Sequence, residues 1–509
     1  MKESSLKDKT ARGFLWGALN NGAMQVLNAL FGIVLAHQLN QADYGLVGML
    51  TIFTLIANSL QDSGFVTALT NKRNATHLDY NSVFWFNTAV SLTLYLLFFL
   101  CAPLIARFFN EPLLTPLSRY YFLGFFIASF SIVPRAILFR QIKQKELTIM
   151  GLTAMVVSGI VGITMAFMGL AYWGLATQTI VFNLTITFMS WMLSHWRPTW
   201  QFSTTPIKEM FSFSSKMLIT NIFIGVNNNI FSVVLGKLYD KHTVGTYNQA
   251  NKWNTMGSSL ITGMVQGVAQ PAFVAVGDDM SRLRRVFSKM LRFTAFVSFP
   301  VMFGLAMVAP EFIVVLIGQK WLSSAHLMQL LCIGGAFLPI ATLYYNLIIS
   351  RGKSNVYMWN VIAQGCIILG SILLISTFDI SSLDFSLFTQ HSSLFTLHFS
   401  LNRITCMVIA YVAIIILWTA IWHRFLHHEI SYPFRSALKD MLPFMLLAAA
   451  TMLITYCATL WMAPDEGGMG RLLLLLLTRI LLAAILYLGI LWLTRAKILH
   501  ECWGYLRKK

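Results

Sequence analysis

Charge is scarce in this chain, and carboxylates are scarcest. Among 509 residues only 19 are Asp or Glu, and charged residues make up 11%, about half the share usual in soluble domains. No stretch is long and polar enough to form a soluble domain, which disfavours enzymes whose chemistry needs one. No Gly-rich phosphate loop ending in Lys-Ser or Lys-Thr is present, so no internal ATPase is encoded. The six cysteines, Cys101, Cys332, Cys366, Cys406, Cys457 and Cys502, are too widely spaced for a metal knuckle or a redox pair. Most lie inside apolar runs, where a free thiol acts as a small core residue. No cluster of His, Cys and carboxylate has metal-ligand spacing, and no cofactor is expected.

Apolar sequence is what the chain has in abundance. It is 57% hydrophobic, and runs of roughly 20 apolar residues recur from residue 14 to residue 493. The fold class is therefore an all-α polytopic membrane protein. Fourteen spans are expected, near 14–38, 43–68, 82–109, 116–139, 147–170, 172–195, 212–236, 250–275, 290–310, 324–349, 356–376, 404–423, 441–461 and 471–494. Residues 1–13 are polar and basic, and the run after them is too long for a signal core, so it reads as an uncleaved first helix.

A net charge of +18 would suggest nucleic acid in a soluble protein. Here the positive-inside rule accounts for it, and no nucleic-acid partner is expected. Most Lys and Arg residues fall in alternate loops, which places both termini in the cytoplasm. Residues 377–403 break the pattern: Leu383, Phe385 and Leu387, then Phe395, Leu397, Phe399 and Leu401, alternate with polar neighbours. A period of two suggests a hairpin or an interfacial segment on the outer face.

The chain also repeats itself. Residues 21–60 laid on 221–260 match at Asn21/Asn221, Val26/Val226, Asn28/Asn228, Phe31/Phe231, Val34/Val234, Leu35/Leu235, Gly45/Gly245, Ser59/Ser259 and Leu60/Leu260. The same offset of 200 pairs Glu111 with Glu311, each just past an apolar run and read as interfacial structure. Because the first and seventh spans start on the same side, the repeat is parallel, with its axis along the membrane normal. Two six-helix repeats around a central cavity are expected, at 1–200 and 201–425 (the latter with the outer segment 377–403). Two further helices and a basic tail follow at 426–509. The proline-containing connector His195–Pro206 would let the two halves rock.

Several motifs point to a family. Leu39–Gly45 (LNQADYG), Leu60–Phe65 (LQDSGF), Leu235–Lys252 (LGKLYDKHTVGTYNQANK) and Ala309–Trp321 (APEFIVVLIGQKW) recur in order within the long helical frame. Over residues 10–425 the chain resembles the polysaccharide-transporter branch of the multidrug/oligosaccharidyl-lipid/polysaccharide (MOP) flippase superfamily, above all its lipopolysaccharide, O-antigen and colanic-acid exporters. The resemblance implies a flippase that moves undecaprenyl-pyrophosphate-linked oligosaccharide across the bacterial inner membrane by alternating access. It implies a lipid-linked oligosaccharide as ligand, membrane lipids as surroundings, and a polysaccharide polymerase and glycosyltransferases as partners. In fourteen-helix relatives the last two helices are thought to hold lipid tails, and Leu472–Leu477 would suit them, as it would suit any lipid-facing helix. A cation-coupled multidrug exporter and a peptidoglycan-precursor flippase of the same superfamily are the alternatives. A membrane glycosyltransferase or polymerase is disfavoured by the few ionisable groups in 377–403.

A pyrophosphate and its sugars cannot cross hydrocarbon unaided, because charges and hydroxyls would lose their hydration. A wet polar path is needed. Asn21, Gln25 and Asn28 share one face of the first helix, and Asn221 and Asn228 repeat that face in the seventh. These amides either hydrogen-bond sugar hydroxyls or join helices to one another. Lys252, Arg135 and Arg479 are the cationic candidates for phosphate, with Arg479 the deepest. Arg479 could equally form a structural pair. Asp62, near the inner end of the second span, is the exception to the near absence of carboxylates from the spans and the candidate for ion coupling, unless it serves as a local cap or turn.

Overall fold

A computed structural model describes residues 22–62, 75–141, 143–276, 279–377, 403–462 and 468–494, with isolated residues 69 and 498. Among the described residues there is no strand. In chain order the helices are α1 (22–38), α2 (Gln41–Asp62), α3 (His77–Phe109), α4 (Leu114–Tyr121), α5 (Leu123–Ser129), α6 (Ile132–Arg140), α7 (Gln144–Phe167), α8 (Ala171–Ser194) and α9 (Thr205–Leu238). They continue as α10 (Lys241–Val276), α11 (Met280–Met307), α12 (Ala309–Ile317), α13 (Leu322–Gly335), α14 (Leu338–Ser350), α15 (Ser354–Thr377), α16 (Arg403–Ile430), α17 (Phe434–Ala458) and α18 (Met469–Leu493).

Among the described residues, nine helices are long and apolar enough to cross a bilayer, or ten if Leu114–Ser129 and Ile132–Arg140, which meet at 41°, make one span. The chain is thus a multi-pass membrane protein. Helices α1, α8, α9 and α10 occupy the remaining expected positions. The last three have the length to cross, and they carry amides such as Asn183, Asn221, Asn228 and Gln249 that lower their hydropathy. A frame of fourteen helices is consistent with this arrangement. The hairpin or interfacial segment expected at 377–403 lies outside the described residues except for its two ends, Thr377 and Arg403.

The fourth expected span is broken and bent, and the tenth is interrupted by a turn at residues 336–337, between α13 and α14. A proline has no N–H for the carbonyl four residues back and its ring crowds that carbonyl. In a membrane the freed carbonyl must find another donor. Pro134 frees Phe130, whose carbonyl accepts from the Trp191 indole at 2.7 Å. Pro103 frees Phe99, which accepts from Arg119 Nε at 3.3 Å, and Pro300 frees Phe296, which accepts from the Tyr487 hydroxyl at 3.0 Å. Each of these prolines is therefore also the place of a tie between helices.

By packing, the chain divides into two compact units, Met1–Asn248 and Gln249–Lys509. This division lies beyond the duplication boundary near residue 200 because α9 packs along α2 and α3. Its Gly236 sits where a Cβ would be 2.9 Å from the Phe109 ring and 3.1 Å from Met49. Lys237 Nζ donates to the Phe108 carbonyl at 2.8 Å. In the second unit α11 packs against α13 and α17, and α12 against α18.

Candidate functional site

The repeat becomes physical within the first unit. Asn40 caps α2, exchanging bonds of 3.0 Å with Asp43: the Asn40 N–H donates to the Asp43 carboxylate, and the Asp43 N–H to the Asn40 side-chain oxygen. Two hundred residues on, Asp240 accepts from the Thr243 N–H at 2.8 Å, at the start of α10. One turn later, each copy has a buried glycine, Gly45 and Gly245. A Cβ on Gly45 would collide with the Lys241 carbonyl, and a Cβ on Gly245 with the Gln41 carbonyl. Positions 41/245 and 45/241 exchange under the offset of 200, so this seam has two-fold symmetry in sequence and in space. It brings two helix backbones into direct contact, which only glycine allows. One turn further a Cβ on Gly48 would strike the Asn248 amide, which Ser232 holds through its Oδ1 at 2.6 Å. Lys241 also pairs with Glu111 at 3.0 Å, joining the seam to the end of α3.

Three of the amides named from the sequence are exposed side chains. Asn28 is exposed on α1, about 200° around the helix from the exposed Val26 and Leu30. Apolar exposure suits lipid, and the opposite polar exposure needs water or a polar partner. Within residues 221–230 only Asn221 and Asn228 are exposed, and their spacing puts them on one face of α9. Gln25 is partly buried on α1. Arg135 is exposed near the start of α6, and its side chain makes no ion pair or hydrogen bond among the described residues. Asn21 and the Asp62 side chain lie outside the described residues.

Lys252 and Arg479 belong to the second unit. Lys252 is partly buried on α10 with its Nζ 5.9 Å from the centre of the Trp253 ring, and it has no carboxylate partner among the described residues. Arg479 is only 2% exposed on α18. Its Nη1 donates to Glu311 at 2.6 Å, its Nε donates to Thr459 Oγ1 at 2.9 Å, and its guanidinium carbon lies 4.7 Å from the Tyr456 ring centre. Buried and already paired, Arg479 presents no open edge to a phosphate in this arrangement. Of the two roles open to Arg479, the structural pair is the one the geometry displays.

Sequence reasoning passed over two features. Gly45 and Gly245 were visible as a matched pair, but their matching gave no hint that each faces the other copy's backbone. Glu111 and Glu311 were visible as repeat partners, yet nothing in the chain pairs them with Lys241 and Arg479 before it folds.

Comparison with known proteins agrees with this architecture. The profile of the family described as polysaccharide biosynthesis protein matches residues 34–326, more than half of the chain. The chain is 25% identical over 365 residues to the lipopolysaccharide biosynthesis protein WzxC of Escherichia coli (strain K12), covering 70% of this chain and 73% of that one. Among solved structures, the lipid II flippase MurJ in an inward closed conformation superposes with a TM-score of 0.70 at 14% identity, over 94% of this chain and 99% of that one. An inward-facing multidrug resistance MATE family transporter of the MOP superfamily superposes with a TM-score of 0.60 at 14% identity, over 85% and 98%. At such identity these two matches show the fold.

Proposed function

The chain belongs to the polysaccharide biosynthesis protein family, and on that premise we propose that it is a flippase, not an enzyme, for undecaprenyl-pyrophosphate-linked oligosaccharide. In this reading it resides in the bacterial inner membrane with both termini cytoplasmic, and hands the glycan to a polysaccharide polymerase after glycosyltransferases have built it. The duplicated segments 1–200 and 201–425 are its working repeats, and 426–509 is an addition.

The observation that carries the reading is the symmetric seam. Two repeat-related helix ends meet backbone to backbone through single glycines. Such an interface has little side-chain interlock and can part and re-form as a unit, which alternating access requires. The exposed Asn28, Asn221 and Asn228 supply hydrogen-bonding groups that sugar hydroxyls can use. Lys252, Arg135 and Gln25 extend the polar and cationic lining in this proposal, with Asn21 beside them. Asp62 remains the candidate for ion coupling.

Cells depleted of the protein should accumulate glycan-bearing undecaprenyl lipid on the cytoplasmic face and lose surface polysaccharide. An unchanged leaflet distribution, together with drug efflux by the purified protein, would replace this reading with an exporter.

Two substitutions sharpen the test. Asn28→Ala and Asn228→Ala alter exposed side chains, so folding stability should change by no more than about 0.5 kcal/mol. Flux of lipid-linked glycan should nevertheless fall severalfold in each, as read by surface polysaccharide at matched expression. Lys252→Gln should also reduce flux while preserving the folded protein, since no ion pair is broken among the described residues. Wild-type flux in all three variants would remove these side chains from the path.

A further inference from the structure

The Pro134 bend has a second consequence. Where the span breaks at Phe130, a cleft of about 450 Å³ opens against α8. Phe130, Leu184, Phe188, Trp191, Met192 and Arg197 line it. With Thr187, which also lines it, the five α8 residues fall at i, i+3, i+4, i+7 and i+8, one helix face. Leu184, Phe188 and Met192 are 48%, 67% and 55% exposed, so this face is open to the bilayer. The Trp191 indole is fixed by its bond to the Phe130 carbonyl at 2.7 Å.

One end of the cleft is cationic. The chain leaves α8 through His195, whose φ of 54° turns it back, and Arg197 then folds over the helix end. Its Nη1 donates to the carbonyls of Trp191 at 2.9 Å and Trp196 at 3.0 Å, and its guanidinium carbon lies 5.7 Å from the Trp191 ring centre. A cation is favoured at a helix C-terminus, and these bonds fix its direction. Nη1 is held by the two carbonyls; the group as a whole stays exposed. No Asp or Glu occurs between Glu146 and Glu209, so nothing acidic in this stretch competes for it. Beside it Trp200, 90% exposed, stacks on Trp85 at 4.5 Å between ring centres. Exposed tryptophan beside an exposed arginine marks the headgroup level of a membrane.

We propose that this cleft is a binding site for one anionic glycerophospholipid of the surrounding leaflet. The phosphate would bind the free edge of the Arg197 guanidinium, and one acyl chain would lie along Leu184, Phe188 and Met192. A single, partly engaged guanidinium suits a phosphodiester better than a pyrophosphate, which carries more charge. The cleft's volume suits one acyl chain and is small for a polyprenyl tail several times longer. The site lies on the first unit, far along the chain from the leucine run of α18, and it does not depend on the transport reading.

The test is native mass spectrometry of the purified full-length protein with phosphatidylglycerol, phosphatidylethanolamine or undecaprenyl phosphate. One tightly retained phosphatidylglycerol is expected on the wild-type protein. Retention should weaken about tenfold in Arg197→Gln, the scale of one charge-assisted hydrogen bond. It should weaken similarly in Met192→Trp, which fills the cleft and leaves the arginine in place. Equal retention by wild type and both variants would overturn the site. Stronger retention of undecaprenyl phosphate than of phosphatidylglycerol, lost in the same variants, would overturn the identity of the lipid.

Discussion

Gly45→Ala and Gly245→Ala should each reduce glycan transport by more than tenfold in cells that express the protein at normal levels. The new methyl group in each case meets a backbone carbonyl of the other helix, Lys241 or Gln41, and a carbonyl in a capped helix end cannot move aside alone. The two helices must separate, which breaks the Asn248–Ser232 bond and the Lys241–Glu111 pair or leaves them strained. A closed seam would then be disfavoured whichever side of the membrane it faces. Gly263→Ala is the control on α10, where a Cβ would meet nothing within 4 Å. Alanine is the better helix former there by about 1 kcal/mol, so that variant should transport normally and melt slightly higher. Transport at the wild-type rate by both seam variants would refute the gate. A loss confined to Gly45→Ala would refute its symmetry, because the two glycines meet equivalent atoms.

The symmetry of that prediction shows which parts of the molecule a single sequence reveals. Spans were legible because apolar runs of bilayer length have few alternatives. The start of α2 was legible as a loop motif, and its Asn40–Asp43 exchange is local chemistry, complete within four residues. Helix breaks were hidden, since a proline such as Pro134 reads equally as a kink or as an end. Their position matters for function: without the Phe130 break there is no cleft beside α8. The long-range pairs were hidden for a different reason. Glu111 and Glu311 occupy matching places in the repeat, but Lys241 has Gln41 as its own counterpart, so duplication alone predicts no cation for Glu311. The cation comes from α18, outside the repeat. Only packing could reveal that, because a sequence fixes no partner at a separation of 168 positions.

That difference between the two glutamates leads to the second large effect. Arg479→Ala and Glu311→Ala should each destabilise the protein by about 3–5 kcal/mol, the usual result of leaving a buried charge without its partner. The side chains are 3% and 13% exposed, so water can do little to compensate either one. Thr459 and the Tyr456 ring complete the arginine's surroundings, while Glu311 sits in the first turn of α12, where a carboxylate also favours the helix dipole. Replacing both partners together, Arg479→Met with Glu311→Leu, removes two desolvated charges at once and should recover most of the loss. The pair formed by Glu111, the first repeat's counterpart of Glu311, is weaker by this logic. Lys241 and Glu111 are 29% and 17% exposed, and Lys241→Ala should cost only about 0–1 kcal/mol. Unfolding in detergent micelles, measured on the four variants at equal protein concentration, gives the comparison. A phosphate-binding role predicts the reverse order of symptoms. Arg479→Ala would then keep wild-type stability and lose transport, and the paired replacement would restore nothing. If the structural pair is what matters, the paired replacement regains both stability and transport, and Arg479 acts by fastening α18 to the second repeat rather than by touching the substrate.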